Sequence, residues 1–301
     1  MILSHRPYTD ADLPAVQTAL ASWIQAAGDC GLCHVGELPD YIYRLLCGKP
    51  QEQLVRIWQI GADIVGISIT HLFDNAFAVY VRPEERGSDG EIVMLETAAE
   101  IPRRSIRQQG GEETSVIIDV WDQDEIRQAQ LRRIGFVEYR QWGYLTERRL
   151  SAPIPDPHLP RGFTIRSATP DDAERYIAAY NAAFQGTWRV QDYRDCVMLK
   201  PGYHPDHVRA VIAPDGRFAS FTILWFDEIN HVGLFEPVGT HPDFQRRGLA
   251  RSLMLHCLHD MRRRGMETVK VGYDATHDAA DRLYRGIGFE RKYATLGYRR
   301  S

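Results

Sequence analysis

Widely spaced landmarks in this chain of 301 residues recur at one offset. Gly135 and Gly288 stand 153 positions apart, and so do Val55 and Val208. The surrounding segments agree in kind. "SHRPYTDADLPAV" (4–16) and "TIRSATPDDAERY" (164–176) each run from a short strand into a helix start. In the second, Thr169 is placed as N-cap and Pro170 fits the first helical position, while Asp171 and Asp172 complement the positive end of the helix dipole. Residues 54–81 and 207–240 then hold three apolar-rich runs each, separated by turn residues, which is the pattern of an antiparallel meander. Both halves finish with a β-branched strand, a polar helix, and "RRIGFVEY" (132–139) or "RGIGFERK" (285–292). A shared offset across such landmarks predicts duplication of one α/β unit. Between the halves, "LSAPIPDPHLPRG" (150–162) carries four prolines and little apolar periodicity, and reads as an extended linker. The predicted layout is a domain over 1–149, the linker 150–162, and a second domain over 163–301.

Composition narrows the function classes. An apolar content of 44% and a charged content of 25% are those of a globular protein. The formal charge of -4 argues against a general nucleic-acid binder, which must neutralise phosphates. "MRRRG" (261–265) then reads as cations in the last turn of a helix that Gly265 terminates. No apolar run of about 18 residues is present to span a membrane, and "MILSHRPYTDADL" lacks the plan of a signal peptide, so a cytoplasmic location is expected. "CGLCH" (Cys30, Cys33, His34) has the string of c-type haem attachment and half of a zinc site. No second C-x-x-C follows, so a reduced pair in a loop or at a helix end is the expectation, with no metal site.

The run "THPDFQRRGLARSLM" (240–254) sits where a strand ends and a helix begins. Pro242 cannot extend a sheet interior. After Gly248, residues Ala250, Leu253, Met254, Cys257, Leu258 and Met261 fall near one face of a helix. Unpaired N–H groups at that helix start, with the dipole behind them, form an anion site. Gly248 lets the backbone approach closely, Ala250 keeps the first turn small, and Arg246, Arg247 and Arg251 supply charge suited to a diphosphate.

This loop resembles the acyl-CoA pyrophosphate loop of the GNAT superfamily of N-acyltransferases, Q/R-x-x-G-x-G/A, through Gln245, Gly248 and Ala250. "AADRLYRGIGFE" (279–290) resembles the superfamily's A-x-x-L-Y-x-x-x-G-F through Ala280, Leu283, Tyr284, Gly288 and Phe289. The resemblance is close over residues 163–299 and architectural over 3–149. It implies two tandem GNAT-like domains of layered α/β fold, each a mixed, mostly antiparallel sheet flanked by helices, in an arrangement similar to mycothiol synthase-like enzymes. Acetyl-CoA is then the implied acyl donor and a small-molecule amine the implied acceptor.

The resemblance also assigns roles. Tyr284 matches the tyrosine that protonates the CoA sulfur in a direct transfer. Glu236, in "VGLFEPVGT", is the candidate base, because a carboxylate within an apolar strand is costly unless paired or functional. Alternation puts Glu236 and Val238 on one side, although Pro237 can bulge the strand. His241 is the rival base. Backbone groups of Val238, Gly239 and Thr240 are expected to hold the acyl-thioester arm, with Leu249 and Arg251 in the diphosphate loop. His277 stands where the family often has a cofactor-contacting Asn, and Ala280 follows it. Trp188, Tyr193, Tyr203 and His204 lie where the family places its acceptor wall.

In the first half, the corresponding loop "VRPEERGSDGEIVM" (81–94) has Asp89 and Glu91 at the two small-residue positions, and Leu131 replaces the tyrosine. Two carboxylates repel a diphosphate. The first half is therefore expected not to hold acyl-CoA, and to support the fold or shape the acceptor site. A non-catalytic acyl-CoA-binding module is the alternative reading of the whole chain.

Overall fold

The computed structural model describes residues 2–73, 75–108 and 115–301. Twelve strands occur among them: β1 Leu3–Pro7, β2 Val55–Ile60, β3 Asp63–Leu72, β4 Ala76–Val81, β5 Val116–Trp121, β6 Val137–Arg149, β7 Thr164–Ser167, β8 Val208–Ile212, β9 Phe218–Asp227, β10 Val232–Thr240, β11 Thr268–Asp274 and β12 Glu290–Arg300. The longer helices are α1 Leu13–Ala27, α2 Asp89–Gln108, α3 Glu125–Arg133, α4 Ala173–Phe184, α5 Leu249–Arg263 and α6 Asp278–Gly286.

The chain divides into two compact units, Met1–Tyr144 with Tyr293–Ser301, and Leu145–Lys292. In the N-terminal unit the strand order is β1-β2-β3-β4-β5-β12, with antiparallel pairs except for β4 beside β5. In the C-terminal unit β11, β10, β9, β8 and β7 follow in order, and only β10 and β11 run parallel. Each unit is thus a meander with one parallel crossover through a helix. Each sheet has a core on both faces. One core of the N-terminal unit packs α1 residues Val16 and Leu20, and the other packs Met94 and Leu95 of α2. In the C-terminal unit α4 covers one face through Tyr176 and Ile177, while α5 covers the other through Leu253, Met254, Cys257, Leu258 and Met261. Full burial of each such α5 side chain is worth about 1.5–3 kcal/mol, which fixes the helix start beside the end of β10.

The duplication is visible in matched contacts. Arg6 bonds both oxygens of Asp12, and Arg166 both oxygens of Asp172. In each case the same aspartate takes the N–H of the preceding threonine, Thr9 or Thr169, so both helix entries are tied down alike. The turns after α3 and α6 are matched too. Arg300 bonds the carbonyl oxygen of Ile134 at 2.9 Å, and Arg148 bonds that of Ile287.

Those arginines come from exchanged strands. The end of β6 belongs to the C-terminal unit, where Thr146 bonds Val271 and Lys292 pairs with Glu147 at 2.8 Å. The end of β12 belongs to the N-terminal unit, registered with β5 from Thr295↔Trp121 to Arg300↔Val116. The compact units therefore divide differently from the linear layout of 1–149 and 163–301. The segment 150–162 is irregular, as its prolines require, but it is packed. Leu150 and Ile154 join the α5 core, and Leu150 donates to Glu267 at 2.8 Å.

Candidate active site

The strand that leads to the loop is interrupted. β10 is registered with β11 from Val232↔Thr268 to Phe235↔Val271. Against β9, Phe235 faces Leu224 but Val238 faces Thr222, so β10 carries one extra residue there, a β-bulge at Glu236 and Pro237. The bulge changes which side chains face which core. Phe235 belongs to the α5 core and Val238 packs against it, which strict alternation forbids for residues three apart. Gly239 faces the opposite core: a Cβ on it would come within 2.4 Å of Phe221 Cζ, so this position is held to glycine by close packing.

Beyond β10, a turn at Pro242–Phe244 leads into the loop, capped by His241, whose Nδ1 accepts the Asp243 N–H at 3.2 Å. Gln245 donates to the Thr240 carbonyl at 3.3 Å. Arg246 and Gly248 both take left-handed backbone, at φ 62 and φ 75. Nothing lies within 4 Å of a Cβ placed on Gly248, so its glycine is required by the turn and not by crowding. Gly248 is the N-cap of α5 and no side chain caps that end, which leaves the first N–H groups available to a ligand. Leu249 is buried behind them and Ala250 is half-buried. Arg246, Arg247 and Arg251 are exposed, and among the described residues none of them closes an ion pair.

Tyr284 lies in the α5 core at 5% exposure, edge-on to Tyr273 at 5.7 Å. Burial, reinforced by the charge of Glu236 and by Tyr273, pushes its phenol well above the ordinary tyrosine value. The backbone oxygen of Glu236 accepts Trp225 Nε1 at 2.9 Å, which anchors the bulge. The rival His241 has its Nδ1 engaged in the turn. His277 caps α6, Nδ1 accepting the Ala280 N–H at 3.2 Å, so both residues serve the helix start.

Of the four residues expected at the acceptor wall, Trp188, Tyr193 and Tyr203 lie in one aromatic core. Tyr193 stacks on Tyr176 at 4.8 Å, Tyr203 meets Tyr193 edge-on, and Trp188 packs against the same core. His204 lies apart from that stack, 4.8 Å from His207. Sequence reasoning missed Tyr176, Tyr180 and Phe184, which join Phe221 in this aromatic group. Their spacing of four along α4 was the available signal.

In the N-terminal unit the matching helix start is already filled. Glu91 is fully buried, its Oε2 accepting the Gly87 N–H at 2.5 Å and its Oε1 pairing with Arg127 at 2.7 Å. The carboxylate thus meets the loop backbone two residues before α2 begins. Leu131 is buried where α6 has its tyrosine.

A model of the acetyltransferase (GNAT) family matches residues 173–289. Over those residues the chain is similar to that family. The matched span includes β10, the α5 loop and Tyr284. Among curated proteins, the mycothiol acetyltransferase of Thermobispora bispora is 28% identical over 194 residues, covering 61% of this chain and 65% of that protein. That of Thermomonospora curvata is 32% identical over 155 residues, covering 49% and 50%. The chain thus spans about half to two thirds of the length of these relatives. Two solved structures share the fold over nearly the whole chain. A GCN5-related N-acetyltransferase from Sphaerobacter thermophilus has TM-score 0.65 at 20% identity, covering 99% of this chain and 95% of that one. A tandem GNAT protein from the clavulanic acid biosynthesis pathway has TM-score 0.67 at 14% identity, covering 99% and 98%. The chain therefore shares the fold of these two structures, mixed sheets flanked by helices.

The remaining sequence expectations concern metal and membrane. Neither Cys30 nor Cys33 is in a disulfide, and His34 Nδ1 accepts the Gly36 N–H at 3.1 Å. Among the described residues no group of three or more His, Cys, Asp or Glu is placed to hold a metal ion. None of the helices searched among them is long and apolar enough to cross a membrane.

Proposed function

We propose that the protein is an acetyl-CoA-dependent N-acetyltransferase acting on a small amine, with the C-terminal unit as the active one. One observation carries this reading: the uncapped α5 start, with the exposed Arg246, Arg247 and Arg251 next to it in the chain, lies in the same unit as the buried phenol of Tyr284. The diphosphate of the donor would rest on the first-turn N–H groups, with Arg246, Arg247 and Arg251 around it. The acyl arm would lie along the backbone of Val238, Gly239 and Thr240. Glu236 takes a proton from the ammonium, the neutral amine attacks the thioester carbonyl, and the C–S bond breaks. Tyr284 donates its proton to the leaving thiolate. A phenol held protonated suits that last step. No covalent enzyme intermediate is needed.

The names of the relatives make mycothiol-related amines the first acceptors to supply. The test is release of free thiol from acetyl-CoA across a panel of amines, amino-acid derivatives, aminoglycosides and peptides. Turnover with at least one amine, lost in Glu236→Gln, supports the reading. Binding of CoA with no transfer to any of them, and indifference to Glu236→Gln, would instead support a non-catalytic acyl-CoA-binding module.

A further inference from the structure

Tyr284 stands on a helix with little apolar surface to hold it. Of the nine residues of α6 only Tyr284 is buried, and among its apolar neighbours Ala280 and Leu283 are half-buried. So narrow a contact fixes the position of a short helix poorly. Yet a displacement of about 1 Å in a reacting group can cost about 10²-fold in rate.

A polar tie supplies what packing does not. Asp281, one turn before Tyr284, accepts the Tyr273 O–H at 2.5 Å and Arg291 Nη2 at 2.9 Å, both on Oδ1. Arg291 Nε donates to the Tyr273 oxygen at 3.0 Å. The three groups close a triangle that joins α6 to the end of β11 and the start of β12, all within the C-terminal unit. A guanidinium only donates, so the Tyr273 oxygen accepts from Arg291 and turns its own proton to Asp281. That proton is committed, whereas no hydrogen bond among the described residues engages the Tyr284 hydroxyl. Tyr273 also meets the Tyr284 ring edge-on, with 5.7 Å between centroids.

The tie goes with the tyrosine. At the matched places in the N-terminal unit, 153 positions earlier, stand Val120, Gln128 and Glu138, and Leu131 replaces Tyr284. Val120 has no hydroxyl, and Gln128 donates instead to the carbonyl oxygens of Trp121 and Asp122. The half without the phenol lacks the triangle as well.

We infer that Tyr273, Asp281 and Arg291 are positioning residues that hold α6 so that the Tyr284 hydroxyl meets the leaving thiolate, granted that Tyr284 is the proton donor of the proposed transfer. The proton that passes to sulfur is that of Tyr284, and Tyr273 keeps its own.

Steady-state thiol release from acetyl-CoA, with an amine that the parent protein acetylates, is measured for Tyr273→Phe, Tyr284→Phe and the double variant. Tyr273→Phe keeps its ring and should lower kcat about fivefold or more, with KM for acetyl-CoA within about twofold. In the Tyr284→Phe background the same change should cost less than about twofold, since no hydroxyl is left to position. Asp281→Ala should behave as Tyr273→Phe does in both backgrounds. Equal losses in the two backgrounds, an unchanged kcat in Tyr273→Phe, or a loss carried by KM alone would overturn the inference. Amide exchange over Asp278–Gly286 follows the tie without turnover, and both single variants should raise it about fivefold or more. Unchanged exchange would overturn the tie even in a protein that acetylates none of the amines. Raised exchange without any turnover would instead overturn the transferase reading, and the catalytic purpose of the tie with it.

Discussion

At the scale of single residues, the two halves differ by what stands at a helix start. Gly248 and Ala250 leave the start of α5 accessible, while Glu91 fills the start of α2 with its own carboxylate. That charge could not be moved freely. Glu91 is paired with buried Arg127, and removing one member of such a pair costs about 3–5 kcal/mol. Tyr284 is the residue on which the proposed chemistry turns. Tyr284→Phe keeps the ring packed against Tyr273 and Phe289 and deletes only the hydroxyl. The expected outcome is a kcat lower by about 10²-fold or more with CoA affinity unchanged, measured by steady-state kinetics and titration. Full activity in that variant would remove Tyr284 from the mechanism. The pattern L-Y-x-x-x-G-F made Tyr284 legible in the sequence, because a helix turn fixes its relation to Gly288 and Phe289. The partner of Glu91 was not legible: Arg127 is 36 positions away, and only the packing of α3 on α2 joins them.

At the scale of elements, the helix entries and exits give two predictions. Asp172 is 1% exposed and accepts from Arg166, Arg175 and the Thr169 N–H. Arg166 first, then the other donors, hold its carboxyl well below the usual aspartate range. A depressed folded value means the stabilisation is present above the unfolded pKa of about 3.8 and is lost as pH falls toward the folded value. Asp172→Asn should therefore cost about 1–3 kcal/mol at pH 7 by urea denaturation, and the gap from the parent protein should narrow below about pH 4. A gap independent of pH would contradict it. The helix exits depend on Arg148 and Arg300, each serving the turn of the unit its strand has entered. Arg148→Ala should lose about 2 kcal/mol and raise amide exchange in β10 and β11, whereas Arg300→Ala should act on β4 and β5. The same amides responding to both substitutions would refute that division. The capping residues were readable from the sequence because Thr169, Pro170 and Asp172 act within one turn. The bulge at Glu236 was foreshadowed by Pro237, but its effect on side-chain facing appears only in the register of β9.

At the scale of the molecule, the two units differ at their matching loops: no side chain caps the start of α5, whereas Glu91 bonds the loop before α2 with its own carboxylate. Titration with CoA should give one site per chain, with Arg246→Ala and Arg247→Ala together weakening it at least tenfold. Two equivalent sites would mean that Glu91 can be displaced. Removal of residues 293–301 should unfold the N-terminal unit first, because it deletes the strand beside β5 and the fully buried Tyr298, whose hydroxyl accepts Arg132 at 3.0 Å. Amide exchange in β5 reads this directly, and unchanged protection there would disprove it.

The sequence by itself determined the duplication, through an offset repeated along the chain, and the meanders, the loop at Gly248 and the tyrosine pattern, since each of these is written in residues close together in the chain. Tertiary structure alone decided which unit owns the last strands and which groups meet the Glu91 carboxylate. The physical reason is common to both. An alternating run specifies a strand but not its neighbour, and a carboxylate specifies a charge but not the group that folding brings against it.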